Sequence, residues 1–208
     1  MSDERARLHT GVETVLRAAL EDHRAVAAEV ESLLPVAAEV AARLCEAFAA
    51  GGRLYSFGNG GSAADAQHLA AEMIGRYRRA RRPLPAVSLV TDPSVVSCIA
   101  NDFSYDEVFA RQVEALAEPR DVVVGFTTSG RSPSVVAGLR AARSVGATTV
   151  LFGAGDGADA AAEADIALLV PSTATARIQE VHLLFLHLVS EVVDAWAAGD
   201  DESVVGRT

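Results

Sequence analysis

From Arg53 onward the apolar residues come in short unbroken runs, separated by stretches with helical spacing. The runs are RLYSF at 53–57, AVSLV at 86–90, DVVVGFT at 121–127, TTVLF at 148–152 and DIALLV at 165–170. Runs that stay largely apolar at successive positions, without alternating, suit strands of a parallel sheet covered on both faces. Between them the spacing predicts helices near 62–75, 94–100, 106–117, 132–145 and 157–163, and a last long one from about 177 to 197. Upstream, residues 4 to about 50 read as two helices, with Pro35 marking a break or a first turn. This long amphipathic start is expected to pack on the core or on a sister subunit. The fold predicted is α/β: a three-layer, doubly wound, Rossmann-like parallel sheet with an N-terminal helical extension. A single domain is expected over 1–208, with helices in 1–50, the core in 53–197 and a frayed tail at 200–208.

Charge and cysteine content narrow the classes. The 18 basic residues are all arginine against 28 acidic ones, giving a formal net charge of −10. A general nucleic-acid binder needs a basic stripe, so no nucleic-acid partner is expected. No apolar run reaches the length of a membrane span, and the N-terminus, MSDERARLHT, has no apolar signal core. Cys45 and Cys98 have neither pairing nor metal-ligand spacing, which suits a reducing cytoplasm. An anionic ligand would enter an unfavourable field and would need dense local donors.

Two strand-to-helix loops offer such donors. The first strand runs into Gly58-Asn59-Gly60-Gly61-Ser62, the third into Thr127-Thr128-Ser129-Gly130-Arg131-Ser132. Both fall outside the carboxyl ends of strands, where doubly wound sheets bind ligands. Their glycines allow close backbone approach, the following helices present free N–H groups, and the hydroxyls complete a cradle suited to a phosphate monoester. Neither loop is a Walker A sequence, and either alone would also serve as a helix cap and tight turn. On the helices, His68 and Glu72 stand at i, i+4 on one face. Gln179 and His187, eight residues apart, lie about 80° around an ideal helix and two turns along it. These four can bind a metal or move a proton, and histidine with carboxylate suits zinc. Spacing alone equally allows a surface contact.

The segments GNGGSAADAQHLAAEMIGRY at 58–77, SCIANDFSYDEVFARQVEAL at 97–116, TTSGRSPSVV at 127–136 and ARIQEVHLLFLHL at 176–188 resemble the sugar isomerase (SIS) family. Within it they are most similar to the phosphoheptose isomerases, which act on sedoheptulose 7-phosphate. The resemblance covers about residues 10–195. It implies a SIS-type fold, aldose–ketose isomerisation to D-glycero-D-manno-heptose 7-phosphate, a homotetramer with active sites at subunit interfaces, and one zinc per subunit. By motif it implies Glu72 and His187 as the catalytic pair and His68, Glu72, Gln179 and His187 as metal ligands. It implies substrate contacts from Asn59, Gly60, Gly61, Ser62, Arg76, Asn101, Asp102, Thr127, Thr128, Ser129, Ser132 and Gln179. The loop 172–176 lacks the aspartate that many such isomerases carry there.

The chemistry needs a base for the proton alpha to a carbonyl and an acid serving the oxygens, joined by an enediol. Glu72 is expected as the base and His187 as the acid. His182, five residues from His187, is expected to pack away from the site. Asp65 and Glu180 are expected to be structural, and the arginines at 78–82 to form a solvated helix end. Two alternatives stand beside the isomerase: a non-catalytic SIS-fold regulator of replication initiation, and an isomerase for another sugar phosphate. Such regulators look to have lost the acid at position 72 and the histidine at position 187; this chain has both.

Overall fold

A computed structural model describes residues 2–200, with side chains from Gly11 onward. Five parallel strands form one sheet in the order β2-β1-β3-β4-β5. They are β1 (Leu54–Gly58), β2 (Ala86–Ser88), β3 (Val122–Phe126), β4 (Thr148–Ala154) and β5 (Ile166–Val170). Eight α-helices are described: α1 (Ser2–Glu29), α2 (Leu34–Ala49), α3 (Gly61–Ile74), α4 (Pro93–Asp102), α5 (Ala110–Leu116), α6 (Pro133–Val145), α7 (Ala158–Ala161) and α8 (Thr175–Ala197). The predicted break at Pro35 is a 3-10 turn over Val30–Leu33, after which Pro35 sits in the first turn of α2. There its missing N–H costs no hydrogen bond. The predicted 106–117 helix is shorter than expected, because Tyr105–Glu107 form a separate 3-10 turn.

Strand side chains alternate between two buried clusters. Leu54, Val122, Val124, Val150 and Phe152 face α2, α3 and α8. Tyr55, Val123 and Leu151 face the layer of α5 and α6. Both sheet faces are therefore covered, which is why the runs read as continuously apolar. Gly138 lets α6 close tightly on this second layer: a β-carbon there would lie 2.7 Å from the Phe57 ring.

The strand order reverses between β1 and β3, so the chain leaves this central pair toward opposite edges of the sheet. The loops after β1 and β3 splay apart there and open a crevice at their carboxyl ends. The expected doubly wound architecture is thus present, and it sets the two candidate loops side by side.

His182 on α8 is a core residue. It is fully buried, with Phe126 and Phe152 packed edge-on at 6.0 and 5.9 Å between ring centroids. Its Nε2–H donates to the Gly153 carbonyl at 3.0 Å. Burial pushes its pKa down from 6.5 to about 4, against the opposing pull of that carbonyl. The ring is neutral in the fold, so on acidification the unfolded chain takes up the proton first. Its contribution is intact above pH 6.5 and is lost as pH falls from 6.5 towards 4, a gap worth about 3 kcal/mol. Chemical unfolding followed from pH 7 to 4 should show wild type losing more stability than His182→Gln, and parallel profiles would contradict this.

Candidate active site

The crevice holds a cavity of about 380 Å³. Nine of the residues expected to contact substrate line it: Asn59, Gly60, Gly61 and Ser62 from the first loop, Thr127, Thr128, Ser129 and Ser132 from the second, and Gln179 from α8. Phe126, Val135 and Thr175 complete the wall. Gly60 and Gly130 have positive φ, at 57° and 65°. Gly130 is also sterically fixed, since a β-carbon there would stand 2.2 Å from the Gly157 carbonyl oxygen.

Hydroxyls in the second loop shape its backbone. Thr127 Oγ1 accepts from Gly130 N–H at 3.2 Å, and Ser129 Oγ accepts from Arg131 N–H at 3.2 Å. Ser132 precedes α6 without a side-chain capping bond. Instead the Asn59 amide donates to Ser132 Oγ at 2.8 Å and Ser134 Oγ at 3.0 Å, tying the two loops together. Tyr105 holds the other end of that amide, donating its O–H to Asn59 Oδ1 at 2.8 Å. Ser134 and Tyr105 were absent from the expected set. The Ser-x-Ser spacing at 132–134 is a local signal for the first; the second comes from a distant turn, and no motif marks it.

The helices continue the site away from the cavity. Gln179 packs on Gly61, where a β-carbon would meet its amide at 2.5 Å. Further along, the His68 and His187 rings meet edge-on with centroids 5.0 Å apart. His68 Nε2 hydrogen-bonds Glu72 Oε1 at 2.9 Å. One ligand atom each from His68, Glu72 and His187 lies within 4.8 Å of the others. Two imidazoles and a carboxylate are a donor set that suits zinc and similar divalent ions. Glu72 is well covered, with 18% of its side chain exposed. By helix rise, His68 stands about 9 Å and Glu72 about 15 Å along α3 from Ser62.

Three expected contacts lie outside the cavity. Arg76 is exposed just beyond α3. Asn101 and Asp102 lie at the exposed end of α4, where the Asn101 amide donates to Asp102 at 2.8 Å. The loop 172–176 has no acid, but Asp156 from the β4 loop borders a neighbouring cavity together with Ser172, Thr173 and Thr175.

Asp65 lies one turn before His68, and burial pushes its carboxyl up to about 6, against the pull of His68. Glu180 anchors α1, accepting from Arg177 at 2.5 Å and pairing with His23 at 2.6 Å. The arginine run departs from expectation. Arg78 stays largely exposed on Glu191, but Arg79 is mostly covered and Arg81 is buried against Asp194 at 2.8 Å. The run turns inward because Asp194, a buried anion on α8, attracts it; sequence proximity to α3 had suggested a solvated end.

Comparison with known proteins agrees with this geometry. The SIS domain family model matches residues 16–163. The phosphoheptose isomerase of Roseiflexus sp. is 51% identical over 165 residues, covering 79% of this chain and 84% of that protein. That of Paramagnetospirillum magneticum is 52% identical over 153 residues, 74% of this chain and 80% of its own length. The solved structure of phosphoheptose isomerase GmhA from Neisseria gonorrhoeae superimposes with a TM-score of 0.84 at 36% identity, covering 88% of this chain and 99% of that one. Given this agreement in sequence, fold and length, the chain belongs to the SIS-domain family, in its phosphoheptose isomerase branch.

Proposed function

We propose that this protein is an aldose–ketose isomerase that converts D-sedoheptulose 7-phosphate to D-glycero-D-manno-heptose 7-phosphate. The observation that carries the reading is the pairing of a donor-rich cradle at the sheet crevice with a histidine–glutamate–histidine group further along the same helices. That separation suits a long substrate with phosphate at one end and carbonyl at the other. The relatives named phosphoheptose isomerase point the same way. The retained Glu72 and His187 favour an enzyme over a non-catalytic regulator. The chain is read as one SIS domain.

In this scheme the phosphate rests among Thr127, Thr128, Ser129 and Ser132, on the N–H groups that open α6. Glu72 removes a proton from C1 of the ketose. His187 gives a proton to O2 as the C2 carbonyl becomes a hydroxyl, forming the 1,2-enediol. His187 then takes the proton from O1 while Glu72 returns its proton to C2, leaving the carbonyl at C1. His68 hydrogen-bonds Glu72 Oε1, which leaves Oε2 to carry the proton. His68, Glu72 and His187 would hold one zinc, which when bound would orient sugar hydroxyls and polarise the carbonyl; Gln179, expected as a fourth ligand, is seated two turns away against Gly61.

Self-association as a homotetramer is part of the proposal. Val12, Val15, Leu16 and Leu20 line α1 and are 51%, 69%, 65% and 48% exposed, a stripe that a second copy would cover. In such an assembly Arg76, Asn101 and Asp102 would serve a site shared between subunits. A cytoplasmic location fits the two free cysteines, and no described helix is long and apolar enough to cross a membrane.

A coupled assay with sedoheptulose 7-phosphate, run with and without chelator and with added zinc, tests the activity; absence of product at high enzyme concentration would contradict it. Glu72→Gln should lower kcat by roughly 100-fold or more while sugar-phosphate binding persists, and near-normal turnover would remove Glu72 as the base. The double variant Ser129→Ala/Ser132→Ala should weaken substrate affinity on the order of 100-fold, since each hydroxyl bond to a charged group contributes about 1.5–3 kcal/mol. Unchanged affinity would move the phosphate elsewhere.

A further inference from the structure

At the far end of α3 and α8 lies an ion pair that the scheme above does not use. Asp194 and Arg81 are 0% and 1% exposed, with Arg81 Nε donating to Asp194 Oδ1 at 2.8 Å. Both groups are fully engaged. The carboxylate also accepts from the N–H groups of Arg79 at 2.7 Å, Arg78 at 3.1 Å and Tyr77 at 3.3 Å. The guanidinium donates to the carbonyls of Glu72 at 2.6 Å, Met73 at 2.8 Å and Arg82 at 2.9 Å. Burial alone would raise the Asp194 carboxyl, but the N–H groups of Arg79 and Arg78, the Arg81 guanidinium and the Tyr77 N–H outweigh it. They hold the carboxyl below the usual carboxylate range.

The two arms of this pair lead to the two proposed acid–base groups. Glu72 and Met73 are in the last turn of α3, whose carbonyls have no partner within the helix. Arg81 supplies those partners, so it fixes the main chain that carries the Glu72 side chain. The N–H groups on Asp194 belong to the loop bearing Tyr77. The Tyr77 ring lies over the His187 ring at 5.7 Å between centroids, tilted by 31°. Asp194 is itself two helical turns beyond His187 on α8.

We propose that Arg81 and Asp194 are positioning residues for the isomerisation: Arg81 sets the main chain at Glu72, and Asp194 sets the loop that lays Tyr77 against His187. The proposal rests on the isomerase reading. It asks of Arg81 something only a flat guanidinium can do. One side chain must reach a carboxylate and three carbonyls at once, which an ammonium with its single nitrogen does not.

Arg81→Lys is therefore the discriminating variant, since it keeps the charge beside Asp194 and loses the carbonyl cap. Tyr77→Ala tests the second arm, and Arg140→Ala, an exposed arginine on α6 across the sheet, is the control. Steady-state kinetics, thermal unfolding and cobalt(II) binding by absorption are measured on each. In Arg81→Lys and Tyr77→Ala, kcat should fall on the order of 10- to 100-fold with KM within about threefold, because the phosphate cradle is untouched. Arg140→Ala should match wild type. A folded Arg81→Lys with wild-type kcat, or a loss confined to KM, overturns the proposal. If wild type itself has no isomerase activity, the functional reading fails separately and cobalt affinity decides: weaker binding in Arg81→Lys supports positioning, and equal binding overturns it. If Arg81→Lys does not fold, Tyr77→Ala decides alone, and wild-type kcat there overturns the proposal.

Discussion

The missing β-carbon at Gly61 lets α3 lie flush along α8, and the candidate site depends on that contact. With the Gln179 amide seated against Gly61, there is no room for a side chain at this level. One register then follows along both helices. Seven residues on from Gly61, His68 meets His187, which is eight on from Gln179. Seven residues further along α8, Asp194 receives the loop that leaves α3. The three levels hold the cavity wall, the histidine–glutamate–histidine group and a buried ion pair in turn. A shift of one residue would move each partner by about 1.5 Å and 100°, enough to part all three.

Net charge and the proposed phosphate site fit together. A chain at −10 with no lysine has no bulk field for anions. The proposed phosphate site does not need one, because four hydroxyl-bearing residues of 127–132 line the crevice at the start of α6. Local dipoles at a helix start act over a few ångströms, where they outweigh a screened distant charge. Arg78, Arg79 and Arg81 are committed instead to Glu191 and Asp194, so these cations serve structure. Arginine suits that task, since one guanidinium can engage a carboxylate and several carbonyls together.

The sheet was legible because its physics is local. The run VVVGF at 122–126 is apolar at every position, and both faces of β3 are indeed buried. The loop glycines and hydroxyls were legible because their spacing follows directly from a strand end and a helix start. What sequence could not show were partners brought together across long separations. Tyr105 reaches Asn59 over 46 residues, and Arg81 reaches Asp194 over 113. Charge patterning read Arg81 as solvated because its counter-ion lies on a helix far along the chain. His182 was rightly separated from His187 by helical phase, but only the packed structure shows Phe126 and Phe152 enclosing it.

In the proposed site, phosphate and acid–base chemistry occupy two ends along α3 and α8. A crystal structure of the Glu72→Gln variant with bound sedoheptulose 7-phosphate tests it most directly. Phosphate oxygens are expected on the hydroxyls and N–H groups of 127–132, with the C1–C2 end of the sugar between position 72 and His187. Phosphate bound at the arginine run of 76–82, or a sugar lying wholly within the crevice and away from His187, would contradict it.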